Sequence, residues 1–195
     1  MRRSFVVALF STAGLISSCT GATTRFYTLE PGPPRPVQAY AGAPFRVDAV
    51  HIPASLDRPE LVRDAADGRF TVSDNDHWAA PVGELLRRVL TQDLAPQLPM
   101  GTVVYPDAPK PPGSAGLVVD ILSISSAGGR MTMDASWTLI PAQGAPGSPA
   151  VDVQQHALRL TTAMGEGVRG NATALSAMTD QMAVAIAESL SRSGT

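Results

Sequence analysis

Cysteine is almost missing from this chain. Cys19 is the only one in 195 residues, so no intrachain disulfide can form and the fold must be held by its core. Histidine is scarce too: His51, His77 and His156 are the only three, and they lack the close spacing of a metal-ligand set. No serine sits in a G-x-S-x-G elbow, no P-loop lysine follows a glycine-rich turn, and no EF-hand series of carboxylates occurs. The expectation is a protein without catalytic residues, metal or cofactor. Charged residues make up only 16% and the formal net charge is −2. With no basic cluster, nucleic acid is excluded as a natural partner. The apolar run that follows Arg3 is shorter than the roughly 20 residues of a permanent membrane span.

That run is the most informative feature present. Arg2 and Arg3, then "SFVVALFSTAGLIS", then the small residues Ser17 and Ser18 have the order of a secretory signal. Ile16-Ser17-Ser18-Cys19 resembles the bacterial lipobox. The resemblance implies that the Cys19 thiol becomes a thioether to diacylglycerol and that cleavage makes Cys19 the first mature residue. Residues 1–18 are then a leader, 19–25 a tether, and 26–195 the domain. A signal with a chance cysteine is the competing account. "RRSFVV" also matches part of a twin-arginine signal, which leaves the export route open. Seven residues of tether reach about 25 Å when extended, so the domain is expected close to the membrane. An aspartate after the cysteine is the usual retention signal for the inner membrane, so Thr20 at that position favours the outer membrane, facing the periplasm, with the inner membrane as the alternative.

Beyond the tether, "FYTL" reads as a first strand, and the proline-rich stretch 30–44 as an extended loop. "FRVDAVHIP" (45–53) is strand-like, and 61–74 offers a hairpin about Asp67-Gly68. Val82, Leu85, Leu86, Val89, Leu90 and Leu94 recur on one helical face, with Pro81 suited to the first helical position. "GTVVY" and "GLVVDILSIS" are further strands. In "RMTMDASWTLIP", Met131, Met133, Ala135, Trp137 and Leu139 alternate with Thr132, Asp134, Ser136 and Thr138, which predicts a strand with one wet face. The apolar phase shifts near Gln154 and Gln155, predicting a bulge or a twist in an exposed edge. Asn171 is placed to cap a last helix whose stripe is Leu175, Met178, Met182, Ile186 and Leu190. The fold class expected is α+β: a single domain with a mixed β-sheet covered on one face by two main amphipathic helices.

Chemically suggestive stretches have structural accounts. His51 lies on a strand between Val50 and Ile52. "GEGVRG" (165–170) reads as a loop before the last helix, and "DNDHW" (74–78) as a solvated turn. A more specific pattern is Val50-x-Ile52-Pro53, Leu56-Asp57-Arg58-Pro59 and Leu61-Val62, followed by Trp78-Ala79-x-Pro81 and an amphipathic helix. With "FYTL", "DASWTL" and the alanine-rich last helix, it resembles the PqiC-like family of ABC-type transport auxiliary lipoproteins over essentially the whole mature chain.

The resemblance implies a non-enzymatic lipoprotein that works with an MCE-type ABC transport system moving phospholipids or other lipids across the envelope. Its partners would be MCE-domain, permease and ATPase subunits, with the acyl chains holding it to the membrane. The ring-like MCE assemblies leave a homo-oligomer open. Physically, Pro53 and Pro59 bracket a rigid loop, Leu56 can pin it to the core, and Asp57 and Arg58 can form a local ion pair. Leu56, Asp57, Arg58, Pro59 and Trp78 are the candidate partner contacts, set against the plainer reading of a packed loop and a tryptophan anchoring the helix start. A lipid-anchored carrier or small hydrolase acting alone is the alternative function, and it requires a continuous apolar cavity.

Overall fold

A computed structural model describes residues 23–64, 70–142 and 153–193. Cys19, the tether's first residues and the Asp67-Gly68 turn lie outside them. The elements in order are β1 (Arg25–Tyr27), β2 (Phe45–His51), β3 (Glu60–Asp64), β4 (Phe70–Trp78), α1 (Val82–Leu94) with a 3-10 turn at Ala95–Gln97, β5 (Val103–Val104), β6 (Ala115–Ala127), β7 (Arg130–Ile140), β8 (Gln155–Ala163) and α2 (Gly167–Ser193). The α+β class is as expected, with the strands divided between two sheets. One has five strands in the order β5-β2-β6-β7-β8, and the other has three in the order β1-β4-β3. β2 runs parallel to β5 and β6, whereas β6, β7 and β8 form an antiparallel meander.

The alternation in β7 does what its pattern demands. Met131, Met133, Ala135 and Trp137 are buried with Leu117, Val119 and Ile121 of β6 under the two helices, whose stripes enter the same core. Gly128 and Gly129 both have positive φ and close the β6–β7 turn, a backbone that suits the right-handed twist of the strands. Leu122 is an extra residue between the pairs Ile121–Ala135 and Ser123–Asp134. The bulge pushes Leu122 out to 65% exposure, and Ile124 and Met133 are again opposite one another.

The helix-free face of the large sheet is covered with polar pairs instead. Arg159 donates to Asp134, Lys110 and Arg46 to Asp48, and His51 lies 2.8 Å from Asp120. The proline-rich stretch 30–44 is a strap over the helices. Its Gly32 N–H donates to Asp93 at 2.8 Å, Arg35 pairs with Asp180, and the Gln38 N–H donates to the Gln97 carbonyl at 2.6 Å.

Several local expectations are corrected. Pro81 stands just before α1, with ψ of 133°, rather than inside it. "DNDHW" is strand, not a solvated turn: β3 and β4 pair at Glu60–His77 and Val62–Val72, so Ser73 to Asp76 form a wide bulge. There Asp76, 2% exposed, is drawn inward by Arg25 across the β1 pairing. No bulge occurs between β7 and β8, whose pairing is unbroken from Thr138–Gln155 to Arg130–Ala163. The phase shift marks the start of an edge strand. α2 begins at Gly167, within the stretch read as a loop, because its φ of +68° makes the turn out of β8. Asn171 therefore lies inside the helix and is not its cap.

Candidate functional site

Pro53 and Pro59 bracket a compact turn, as their fixed φ suggests. The Leu56 N–H donates to the Pro53 carbonyl at 2.8 Å, and the Arg58 N–H to the Leu56 carbonyl at 3.0 Å. The Trp78 N–H then ties the end of the loop down through the Pro59 carbonyl at 2.7 Å. This bond joins the two halves of the motif found in sequence. Arg58 pairs with Glu60 at 3.0 Å, not with Asp57, because residues two apart on an extended segment share a side. That guanidinium holds the Glu60 carboxyl below its usual range.

The five candidate contacts separate on this scaffold. Leu56 and Trp78 are half-buried and meet at a pocket of about 50 Å³, which they line with Leu61 and Val62 of β3, Ile124 of β6 and Leu175 of α2. Asp57 instead borders a shallow cleft with His51, Pro81 and Glu84, while Arg58 and Pro59 are exposed. Trp78 also packs against the main core, so it is both anchor and pocket wall.

The pocket is also lined by Val82 of α1 and Ser126 of β6, and by two residues of more interest, Met131 of β7 and Asn171 of α2. Asn171 is 5% exposed, and its Oδ1 has no hydrogen-bond partner among the described residues. Neither was recognised from sequence as part of a site. The β7 alternation placed Met131 on the buried side but not beside Leu56. Asn171 carried only the ordinary signal of a helix cap.

The surrounding charges are largely neutralised. Arg25 contacts Asp76 through Nε at 2.6 Å and Nη2 at 2.9 Å, and with the Ser73 hydroxyl it holds that carboxyl below the usual range against the opposing effect of burial. His51 and Asp120 pair at an exposed strand end, and no hydroxyl or thiol is hydrogen-bonded to that ring among the described residues. His156 stacks on buried Trp137 with ring centroids 4.1 Å apart. Among the described residues no three His, Cys, Asp or Glu side chains gather where they could hold a metal ion, and no helix is long and apolar enough to cross a membrane.

Two solved structures share the architecture. One, titled as an uncharacterized protein, aligns with a TM-score of 0.67 at 20% identity over 87% of this chain and 99% of that one. The other, protein XCC0632 from Xanthomonas campestris, aligns with a TM-score of 0.63 at 13% identity over 83% of this chain and 92% of that one. At such identities the likeness establishes the fold. No curated protein sequence matches the chain. The family model for the ABC-type transport auxiliary lipoprotein component matches residues 27–187, a span that contains the proline-bracketed loop, the pocket, all of α1 and most of α2. The chain belongs to that family of ABC-type transport auxiliary lipoprotein components.

Proposed function

We propose that this protein is a lipid-anchored, non-enzymatic docking component of an MCE-type ABC transport system, the PqiC-like branch of its family. It is held at the periplasmic face of the outer membrane and serves lipid traffic between the membranes. The observation that carries the reading is the family match over 27–187. The Ile16-Ser17-Ser18-Cys19 sequence supports acylation at Cys19. Each buried methylene of an acyl chain contributes about 0.8 kcal/mol, and two or three chains anchor stably where one does not. In this reading the partner-facing surface is the loop 53–59 with Trp78 beneath it. The ATPase, permease and MCE subunits are other chains.

The carrier alternative fits the interior less well. Pockets that enclose a small ligand commonly measure about 300–1,000 Å³, whereas the apolar pocket beside Leu56 is about 50 Å³. The strand 131–139 packs its inward residues into the core beneath the helices. In the decisive experiment, envelopes are solubilised from cells carrying wild-type or Cys19→Ala protein, and the membrane fraction and co-purifying chains are identified. The reading expects wild type in the outer-membrane fraction with MCE and permease subunits, and the Ala variant folded but released. An Ala variant that remains with membranes overturns the anchor. A wild-type protein that recovers no transporter subunit overturns the docking role.

A further inference from the structure

We infer that the pocket beside Leu56 is a socket for an extended polypeptide segment of a partner chain, which inserts one branched aliphatic side chain and pairs a backbone amide with the Asn171 side chain. The inference rests on the docking role proposed above and names the chemistry of the docked chain.

Asn171 is the starting observation. A buried amide oxygen without a partner is destabilising because its lost hydration is not replaced, and Asn is also a weaker helix former than Leu or Met. At 5% exposure, inside α2, an apolar residue would serve packing better. The side chain is not spent on capping, since the helix begins four residues earlier at Gly167. Instead it forms part of the wall of a pocket whose other walls include Leu56, Ile124 and Leu175. A carboxamide presents an acceptor and a donor side by side. Its complement is another amide, and a peptide group offers one at every residue. The methylenes of an acyl chain offer neither partner. The size of the pocket, about 50 Å³, suits one aliphatic side chain rather than a lipid tail.

The strands around the pocket supply the remaining requirement. β3 is at the edge of the three-stranded sheet. β6 pairs with β2 only as far as Asp120, and among the described residues its outer half has no strand on that side. β3 and this half of β6 meet at the pocket through Val62 and Ser126, with no main-chain hydrogen bond between the two strands among the described residues. Unpaired strand edges beside a side-chain pocket are the two parts of recognition by strand addition: main-chain bonds hold the segment, and the pocket selects one residue.

The test uses the full mature chain and capped heptapeptides alternating Thr and Val with Ile, Leu or Asp at the centre, followed by tryptophan emission because Trp78 lines the pocket. Dodecanoate is titrated in parallel. The expected result is saturable binding of the Ile and Leu peptides, at least about tenfold weaker for Asp, a difference of about 1.4 kcal/mol. Asn171→Leu should fold with equal or greater stability and lose that binding. Ile124→Trp, which fills the pocket, should lose it too. Absence of saturable binding by any peptide up to about 1 mM, response to dodecanoate alone, or undiminished binding in Asn171→Leu would overturn the socket, the last leaving water as Asn171's partner. Capture of the transporter subunits separates the two proposals. If Asn171→Leu recovers them as well as wild type does, docking stands and the socket falls. If peptides bind but wild type recovers no subunit, the socket stands and the docking role falls.

Discussion

Replacing Asp93 with Asn should stabilise the protein at pH 7 and bring no gain near pH 4. Asp93 is 4% exposed and receives the Gly32 N–H from the proline-rich strap on Oδ1, while Oδ2 has no partner among the described residues. Burial, with the neighbouring Asp180 adding to it, outweighs the Gly32 bond and the Arg35 charge and raises its pKa from 3.8 to about 6. A carboxyl whose pKa is higher folded than unfolded favours the folded state only while protonated. The penalty is therefore absent below the unfolded value, grows as pH rises between the two values, and is complete above the folded one. At 1.36 kcal/mol per pH unit it amounts to about 3 kcal/mol. Asn keeps the acceptor for Gly32 and removes the charge. It also places an amino group where Oδ2 has no partner, at a cost of about 1–2 kcal/mol. The net gain at pH 7 is then about 1–2 kcal/mol, read as an upward shift of the urea midpoint of the order of 0.5–1 M. Equal midpoint shifts at pH 7 and pH 4 would show that ionisation is irrelevant. A loss confined to pH 7 would show that the carboxylate itself holds the strap, and either result refutes the argument.

Arg25→Gln should make the protein more acid-labile. The Asp76 pKa is lowered by Arg25, so its stabilisation is present above the ordinary carboxylate range and lost as pH falls through the lowered value. Without the guanidinium that loss comes at a higher pH. An unchanged acid-unfolding midpoint by circular dichroism would refute the pairing. Gly170→Ala should destabilise by about 1–3 kcal/mol, because the added methyl would strike the Gly165 carbonyl, a backbone atom that cannot swing aside. Helix propensity alone favours Ala by about 1 kcal/mol, so a higher melting temperature in the variant would contradict this close approach.

What could be read in advance follows the range of the interactions. The stripes of α1 and α2 and the alternation of β7 are set by local periodicity, and every apolar residue assigned to the two helix stripes is buried. The rigid loop at 53–59 was legible because proline acts on its own backbone. Asp76 was misread because its surroundings come from distant chain, and Asn171 because the backbone of a nearby glycine, not the pattern of side chains, sets where the helix begins. An acidic stretch resembles a turn until Arg25, 51 residues away, pairs with it. An asparagine before an apolar stripe resembles a cap until Gly167, four residues upstream, starts the helix sooner. The pocket depends on loop, strand and helix residues from 56 to 175 and has no local signature. Leu56 and Trp78 were nevertheless selected together from the motif, and the Trp78–Pro59 hydrogen bond explains that association physically.

The distribution of charge bears on where a partner can settle. On the open face of the large sheet, Arg159 with Asp134, Lys110 and Arg46 with Asp48, and His51 with Asp120 are partly hydrated pairs. A partner covering them must strip water from several charges at once, a cost that the pairs' mutual attraction need not repay. The opposite face is closed by α1, α2 and the strap, which is held down by Asp93, Asp180 and Gln97. Between the sheets, by contrast, Leu56 and Trp78 flank an apolar depression with strand edges beside it and an amide already dehydrated. Filling that depression removes little water from charge and gives the amide a partner. The favourable balance therefore lies at the junction of the two sheets, although the broad open face offers more area.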